Sequence, residues 1–430
     1  MSDQKLIIKD SKIHGEVNLQ GAKNSVLPIL AACLLVKGQV VLKNVPVISD
    51  VYASLRILTK LGCKCYFDCK NNTVTVDSKF ANASEISEEL ANEMRSSVFY
   101  MGSMTSRFGK CEIAHPGGCD LGLRPINLHI ESLRKMSAEI TEKHGRVIAE
   151  IPGGFTGADI VLPVVSVGVT ENIMLAAVLA DGETVISNAA TEPEVIDLMN
   201  FLNKCGAKIK KADEREFVIQ GVKNLCPCEY SIIPDRIACA TYMAAAVITG
   251  GNVIIHNAAA KDLKSVLDVF ERMGTEVIVY PGRISHNQLY ADSIAIYAGE
   301  KIKAVKNITT GVHPGFPTDA QPIIMAVLAK AGGVSQFEDT IFDGRYKHIS
   351  ELLKLGADIS VKNTVATIYG KEKLLGAKVS ATDLRGGAGL VVAALSAEGE
   401  TEISEIQFID RGYEDIEKVI SSIGGNIVRI

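Results

Sequence analysis

Four stretches of this 430-residue chain gather side chains able to do chemistry at places where a plain structural pattern would not need them. In LQGAKNSVLP, Lys23 and Asn24 stand just ahead of an apolar helical run. A cation at a helix start opposes the macrodipole, so Lys23 makes sense where an anion shares that N-terminus; a solvated surface lysine is the commoner fate. HPGGCDLGLRP, residues 115–125, has the glycines and prolines of a mobile loop. It presents Cys119, whose thiolate Arg124 and His115 favour and Asp120 disfavours. A buried loop cysteine explains the segment equally well. In TTGVHPGFPTDAQP, Asp319 follows two prolines and is also placed to cap a helix beginning at Ala320. Finally, Arg95, Arg345, Arg385 and Arg411 all fall at turns. Arginine grips carboxylate or phosphate with two parallel hydrogen bonds, and four converging arginines suit a small, multiply charged anion better than four surface ion pairs do.

The remaining composition narrows the chemistry. Lys and Arg total 45 against 50 Asp and Glu, a net charge of −5, which gives no reason to expect nucleic acid or an anionic membrane as partner. The longest apolar run, Ile160 to Ala180, is interrupted by Glu171 and Asn172 and falls short of a membrane span. The N-terminus lacks the apolar core of a signal peptide, so the ten cysteines are expected to be reduced thiols in the cytoplasm. Cys63 with Cys65, and Cys226 with Cys228, form C-x-C pairs without neighbouring histidines; they are expected to be packing residues, and no metal is expected. No P-loop, GxGxxG, H-E-x-x-H or G-x-S-x-G motif is present.

A repeat must position these groups. A helix ending in a Gly or Ser turn and followed by a strand recurs six times, with turn residues Gly62, Ser137, Gly206, Gly274, Gly356 and Gly424. The spacing is close to 70 residues, too long for the familiar solenoids. Each unit opens with an Ala-rich apolar helix such as ENIMLAAVLA, then a polar turn, a β-branched strand and an amphipathic helix such as EPEVIDLMNFLNKCGA. Six βαβ-type units in 430 residues predict an α/β fold of two domains with three units each, apolar helices buried and sheets packed around them.

Taken together, GAKNSVLP, MRSS, PGGCDLGLRP, SVGVTENIM, HPGFPTDAQ, TDLRGGAG and IDRGYE resemble the UDP-N-acetylglucosamine 1-carboxyvinyltransferase family along essentially the whole chain. The related 3-phosphoshikimate 1-carboxyvinyltransferases share the sixfold fold but lack the cysteine loop, so Cys119 separates the two. The resemblance implies a two-domain inside-out α/β barrel. One domain would span 22–233 with the cysteine loop as a lid, the other would combine 1–21 with 234–430, and the active site would lie in the cleft between them.

It also implies the reaction: transfer of the enolpyruvyl group of phosphoenolpyruvate to the 3-hydroxyl of UDP-N-acetylglucosamine, with loss of phosphate, as the first committed step of peptidoglycan precursor synthesis. No cofactor or metal is implied. By the same resemblance Cys119 is the general acid and Asp319 the base, while Lys23, Arg124, Arg385 and Arg411 hold phosphoenolpyruvate. Arg95, Arg124, Pro125, Ile126, Asn127, Leu128, His129, Ser166, Val167, Gly168, Asp319 and Ile341 meet the UDP-sugar, and Asn24, Arg345 and Asp383 complete the polar cluster. Two positions depart from the common pattern. Asn127 replaces a frequent Asp and keeps an acceptor, and Val164 stands where some members carry a lysine near the diphosphate. Transfer to another acceptor such as shikimate 3-phosphate, or a non-catalytic UDP-sugar-binding role, are the alternatives.

Overall fold

The computed structural model describes residues 4–117, 126–282, 284–285, 288–289, 292–299 and 301–430. They fall into two compact units, one made of the chain up to Gln20 together with Pro234–Ile430, the other of the described residues of Gly21–Ile233.

Among the described residues six four-stranded sheets carry the architecture, three per unit, and all share one plan. A first strand pairs in parallel with a second, and two antiparallel strands follow at its side; Asp159–Val161, Glu183–Ser187, Glu216–Gln220 and Lys208–Asp213 are one instance in spatial order. In chain order the repeat is therefore βαβαββ, one helix and one hairpin richer than the βαβ unit expected. Three of the sheets are completed from a distant part of the chain. Leu6–Lys9 lies between Glu400–Ser404 and Asn426–Arg429. His14–Asn18 pairs in parallel with Asn252–Ala258, and Glu229–Ser231 with Gln39–Lys43.

The apolar helices lie inside. Lys23–Cys33, Phe99–Phe108 and Val167–Ala177 pack on one another in one unit, and Arg236–Ile248, Gln321–Leu328 and Leu384–Ala394 do so in the other. All residues of Gln321–Leu328 and Leu384–Ala394 are buried, the polar Gln321 and the charged Arg385 among otherwise apolar or small side chains. Their backbones approach closely. A Cβ on Gly102 would fall 2.4 Å from Asn172 Oδ1, and one on Gly389 2.7 Å from the Pro322 carbonyl, so neither site has room for a methyl group.

The outer helices end as the repeat predicts. Gly62, Ser137, Gly206, Gly274, Gly356 and Gly424 all have φ between 76° and 98°. That left-handed turn is what reverses each amphipathic helix into its following strand, and Ser137 shows that the geometry, more than the glycine, is what recurs. Among the described residues no helix is long and apolar enough to cross a membrane, and no group of His, Cys, Asp or Glu side chains could hold a metal ion.

Candidate functional site

In the unit of Gly21–Ile233, Lys23 is the first residue of its inner helix and is only 8% exposed. Its ammonium lies 2.8 Å from the buried Asp50 carboxylate. Asp50 itself sits in the first turn of Ser49–Lys60, where the macrodipole favours a negative charge. The anion that the Lys23 position called for is thus supplied, in this structure, by the protein. Asn24 follows at an exposed position.

The same helix is tied down from behind. Ser25 donates to Asp197 Oδ2, Tyr230 donates to Asp197 Oδ1, and the Ile233 N–H adds a third bond at 3.3 Å. Burial pushes the Asp197 carboxyl up to about 6, against the pull of these donors. The folded protein therefore holds this proton at pH values where the unfolded chain, with a carboxyl near 3.9, has released it. Stability from this group is highest below about pH 4 and falls as pH rises to about 6. For Asp197→Asn, which does not titrate, the melting temperature relative to wild type should rise between pH 4 and pH 7. A flat difference across that range would mean that Asp197 does not titrate there.

Arg95 opens the Arg95–Val98 turn that leads into the Phe99–Phe108 helix, and its guanidinium reaches the Pro116 carbonyl at 3.5 Å. His115 Nε2 is 3.5 Å from Glu142. Cys119, Arg124 and Pro125 lie outside the described residues. Ile126 precedes the helix Asn127–Lys135, whose first turn carries Asn127, Leu128 and His129.

His129 is buried and meets Asn172. Asn172 Oδ1 accepts the Gly102 N–H at 2.9 Å, so its amide NH2 faces His129 Nδ1 at 3.0 Å. Nδ1 must then be the acceptor, which puts the ring proton on Nε2. Nε2 lies 3.7 Å from where a Cβ of Gly168 would be. Ser166 caps the Val167–Ala177 helix by accepting the Val169 N–H, so Ser166, Val167, Gly168 and His129 form one local cluster. Within that helix, burial and the neighbouring Glu194 and Glu192 keep the Glu171 carboxyl well above the usual carboxylate range.

The other unit collects a denser group of charges. Asp319 lies in the turn Thr318–Ala320 ahead of the Gln321–Leu328 helix, which has no side-chain cap. The capping role open to Asp319 in the sequence is not what its carboxylate does. Oδ1 accepts from Arg345 Nη2 at 2.7 Å, and Oδ2 lies 3.4 Å from Arg385 Nε.

Both arginines are almost wholly buried, while Asp319 keeps 28% of its side chain exposed. Arg345 is fixed by two further bonds from Nε and Nη2 to the Thr318 carbonyl, at 3.1 and 2.9 Å. Arg385 donates through Nη1 to Tyr413 Oη at 3.3 Å. Thr241 Oγ1 gives its hydrogen to the Ile237 carbonyl, so Tyr413 donates to Thr241, 2.8 Å away. Burial works against the Arg385 charge, but Tyr413, Asp319 and Asp235 outweigh it and hold the guanidinium protonated.

Asp383 caps the Leu384–Ala394 helix, its Oδ1 accepting the Arg385 and Gly386 N–H groups at 3.0 Å each. It therefore sets where Arg385 leaves the helix. His348 is fully buried beside this pair. Burial lowers it to about 4 despite the nearby Asp383, so the ring is neutral at pH 7. Ile341 is 37% exposed, and its N–H is held by Asp339 Oδ1 at 3.0 Å. Arg411 is half-buried in the turn before the Ile416–Ser422 helix. Gln20 fixes that turn from both sides, donating to the Gly412 carbonyl and accepting the Glu414 N–H, each at 3.0 Å.

Asp50, Asp197, Asn172, Asp339, Tyr413 and Gln20 were not anticipated from the sequence. Asp50 at a helix start is the one with a readable signal, and that signal indicates helix stabilisation and not a lysine partner.

Over 419 residues the chain is 46% identical to UDP-N-acetylglucosamine 1-carboxyvinyltransferase 2 of Caldanaerobacter subterraneus subsp. tengcongensis, covering 97% of each. The chain belongs to the UDP-N-acetylglucosamine 1-carboxyvinyltransferase family of enolpyruvyl transferases. A second protein of that organism, UDP-N-acetylglucosamine 1-carboxyvinyltransferase 1, is 42% identical over all of both chains. The broader family model described as EPSP synthase (3-phosphoshikimate 1-carboxyvinyltransferase) matches residues 7–420 of this family member. Among solved structures, the enolpyruvyl transferase NikO from Streptomyces tendae has a TM-score of 0.88 at 23% identity, covering 100% of this chain and 99% of that one. EPSP synthase from Acinetobacter baumannii has 0.77 at 20%, covering 100% of both. At these identities the likeness speaks for the two-domain α/β fold.

Proposed function

We propose that this protein transfers the enolpyruvyl group of phosphoenolpyruvate to the 3-hydroxyl of UDP-N-acetylglucosamine, as a cytoplasmic step in peptidoglycan precursor synthesis. The observation that carries the reading is Asp319, a half-open carboxylate held between two buried arginines in a chain 46% identical to a curated enzyme named for this activity. Asp319 accepts the proton of the sugar hydroxyl as its oxygen adds to C2 of phosphoenolpyruvate, and Cys119 delivers a proton to C3. Phosphate and a C3 proton then leave, restoring the double bond. Lys23, Arg124, Arg385 and Arg411 balance the carboxylate and phosphate charges, most strongly as phosphate departs. His129, with its proton on Nε2, Ser166 to Gly168, Arg95, residues 124–128 and Ile341 bind the UDP-sugar.

The test is phosphate release by the purified protein with phosphoenolpyruvate, using either UDP-N-acetylglucosamine or shikimate 3-phosphate as acceptor. Release with the UDP-sugar alone is expected. Release only with shikimate 3-phosphate would overturn the acceptor, and no release with either would point to a binding protein.

A further inference from the structure

The C-x-C pairs expected to be packing residues occupy an unusual place. Cys33, Cys63 and Cys205 are buried, Cys65 and Cys228 are half-buried, and Cys226 is exposed, so Cys226 at least is no core residue. Burial, followed by the nearby Cys228, Cys63 and Cys65, drives the Cys33 thiol upward, so three further sulfurs lie within electrostatic reach of Cys33. Cys205 and Cys228 come closest, with Sγ atoms 3.3 Å apart.

Their approach is built by the fold. Cys205 ends the helix Pro193–Lys204, and Cys228 directly precedes the strand Glu229–Ser231. Asp197, Phe201 and Cys205 recur at four-residue spacing and so share one face of that helix. All three meet the same segment: Asp197 accepts the Tyr230 hydroxyl, Phe201 packs edge-on to the Tyr230 ring at 5.5 Å, and Cys205 meets Cys228. The Cys226 N–H donates to the Cys205 carbonyl at 2.7 Å, and the Cys228 carbonyl accepts the Val41 N–H at 3.0 Å. The two sulfurs are thus held facing each other by backbone bonds on both sides. The hydrogen bond from Cys205 and the nearby Lys204 favour the Cys228 thiolate, whereas that same bond and burial keep the proton on Cys205.

We propose that Cys205 and Cys228 form a peroxide-reactive dithiol, a thiol-modification site separate from the Cys119 chemistry. The Cys228 thiolate attacks hydrogen peroxide, its sulfur taking one oxygen as the O–O bond breaks, to give a sulfenic acid and hydroxide. Cys205 then attacks that sulfur, the S–S bond forms, and the oxygen leaves as water after taking up the Cys205 proton. In sum two thiols and one peroxide give one disulfide and two waters, and dithiothreitol reverses the change. Contracting the 3.3 Å contact to a bond of about 2.05 Å asks for little backbone movement.

The experiment is brief peroxide treatment of the whole protein, followed by alkylation of remaining thiols, proteolysis and peptide mass mapping. Turnover is not a suitable readout, because oxidation of Cys119 would also abolish it. The expected result is an intramolecular link between the peptides carrying Cys205 and Cys228, lost on reduction. In Cys205→Ser, Cys228 should instead accumulate as a sulfenic acid trapped by dimedone. A link from Cys228 to Cys33 or Cys226, or a Cys228 that stays alkylatable in the wild type, would overturn the proposal whether or not the variant folds.

Discussion

Asp319→Asn should lower turnover by about 10²–10⁴-fold, the range a positioned general base contributes, with only a modest fall in melting temperature. Asparagine keeps an oxygen for the 2.7 Å bond from Arg345 Nη2 but cannot take the proton of the sugar hydroxyl. Arg345 retains its two bonds to the Thr318 carbonyl and Arg385 its bond to Tyr413, so both guanidiniums stay anchored. Asp319→Ala should lose as much turnover and more stability, because two buried cations then lack their shared carboxylate. The measurements are phosphate release at saturating substrates and thermal melts of both variants. Full turnover by the Asn variant would sink the assignment of Asp319 as base.

The second large effect belongs to Cys119→Ser. A thiol with its reference pKa of about 8.5 is mostly protonated near pH 7 and releases its proton far more readily than an alcohol. Serine therefore retains the shape and loses the acid, and turnover should fall by about 10²–10⁴-fold while the dissociation constant for the UDP-sugar is unchanged. There is also a signature in pH. Wild-type turnover should decline as pH rises past the thiol pKa, because the thiolate has no proton to give. The residual activity of the Ser variant should lack that alkaline limb. An identical limb in both proteins would assign the acid to another group.

What the sequence revealed and what it concealed follow from the range of the interactions involved. The six turns were legible because a left-handed residue at the end of each outer helix is a local requirement, met by Gly62, Gly206 and their counterparts. The inner helices were legible because an unbroken apolar run such as residues 322–328 has nowhere to go but the core. Single polar contacts between distant segments leave no such trace. Gln20 reaches Gly412 across 392 positions, and Tyr413 stands behind Arg385 with no periodic signal to announce it. Asp383 and Asp319 show the limit from the other side. Each precedes a helix, so the same sequence logic offers a cap for both, yet Asp383 caps while Asp319 pairs with arginines.

The borrowed strands impose an order of events on synthesis. Leu6–Lys9 and His14–Asn18 are synthesised well before their partners Asn426–Arg429 and Asn252–Ala258. At about 5–20 residues per second, Leu6–Lys9 waits on the order of 20–80 s for its last neighbour. Gly21–Ile233 needs no later segment for its own three sheets and can close while the rest is still being made. Until Asn252–Ala258 emerges both early strands lack their partner, and Leu6–Lys9 waits longer still, until Glu400–Ser404 and Asn426–Arg429 follow.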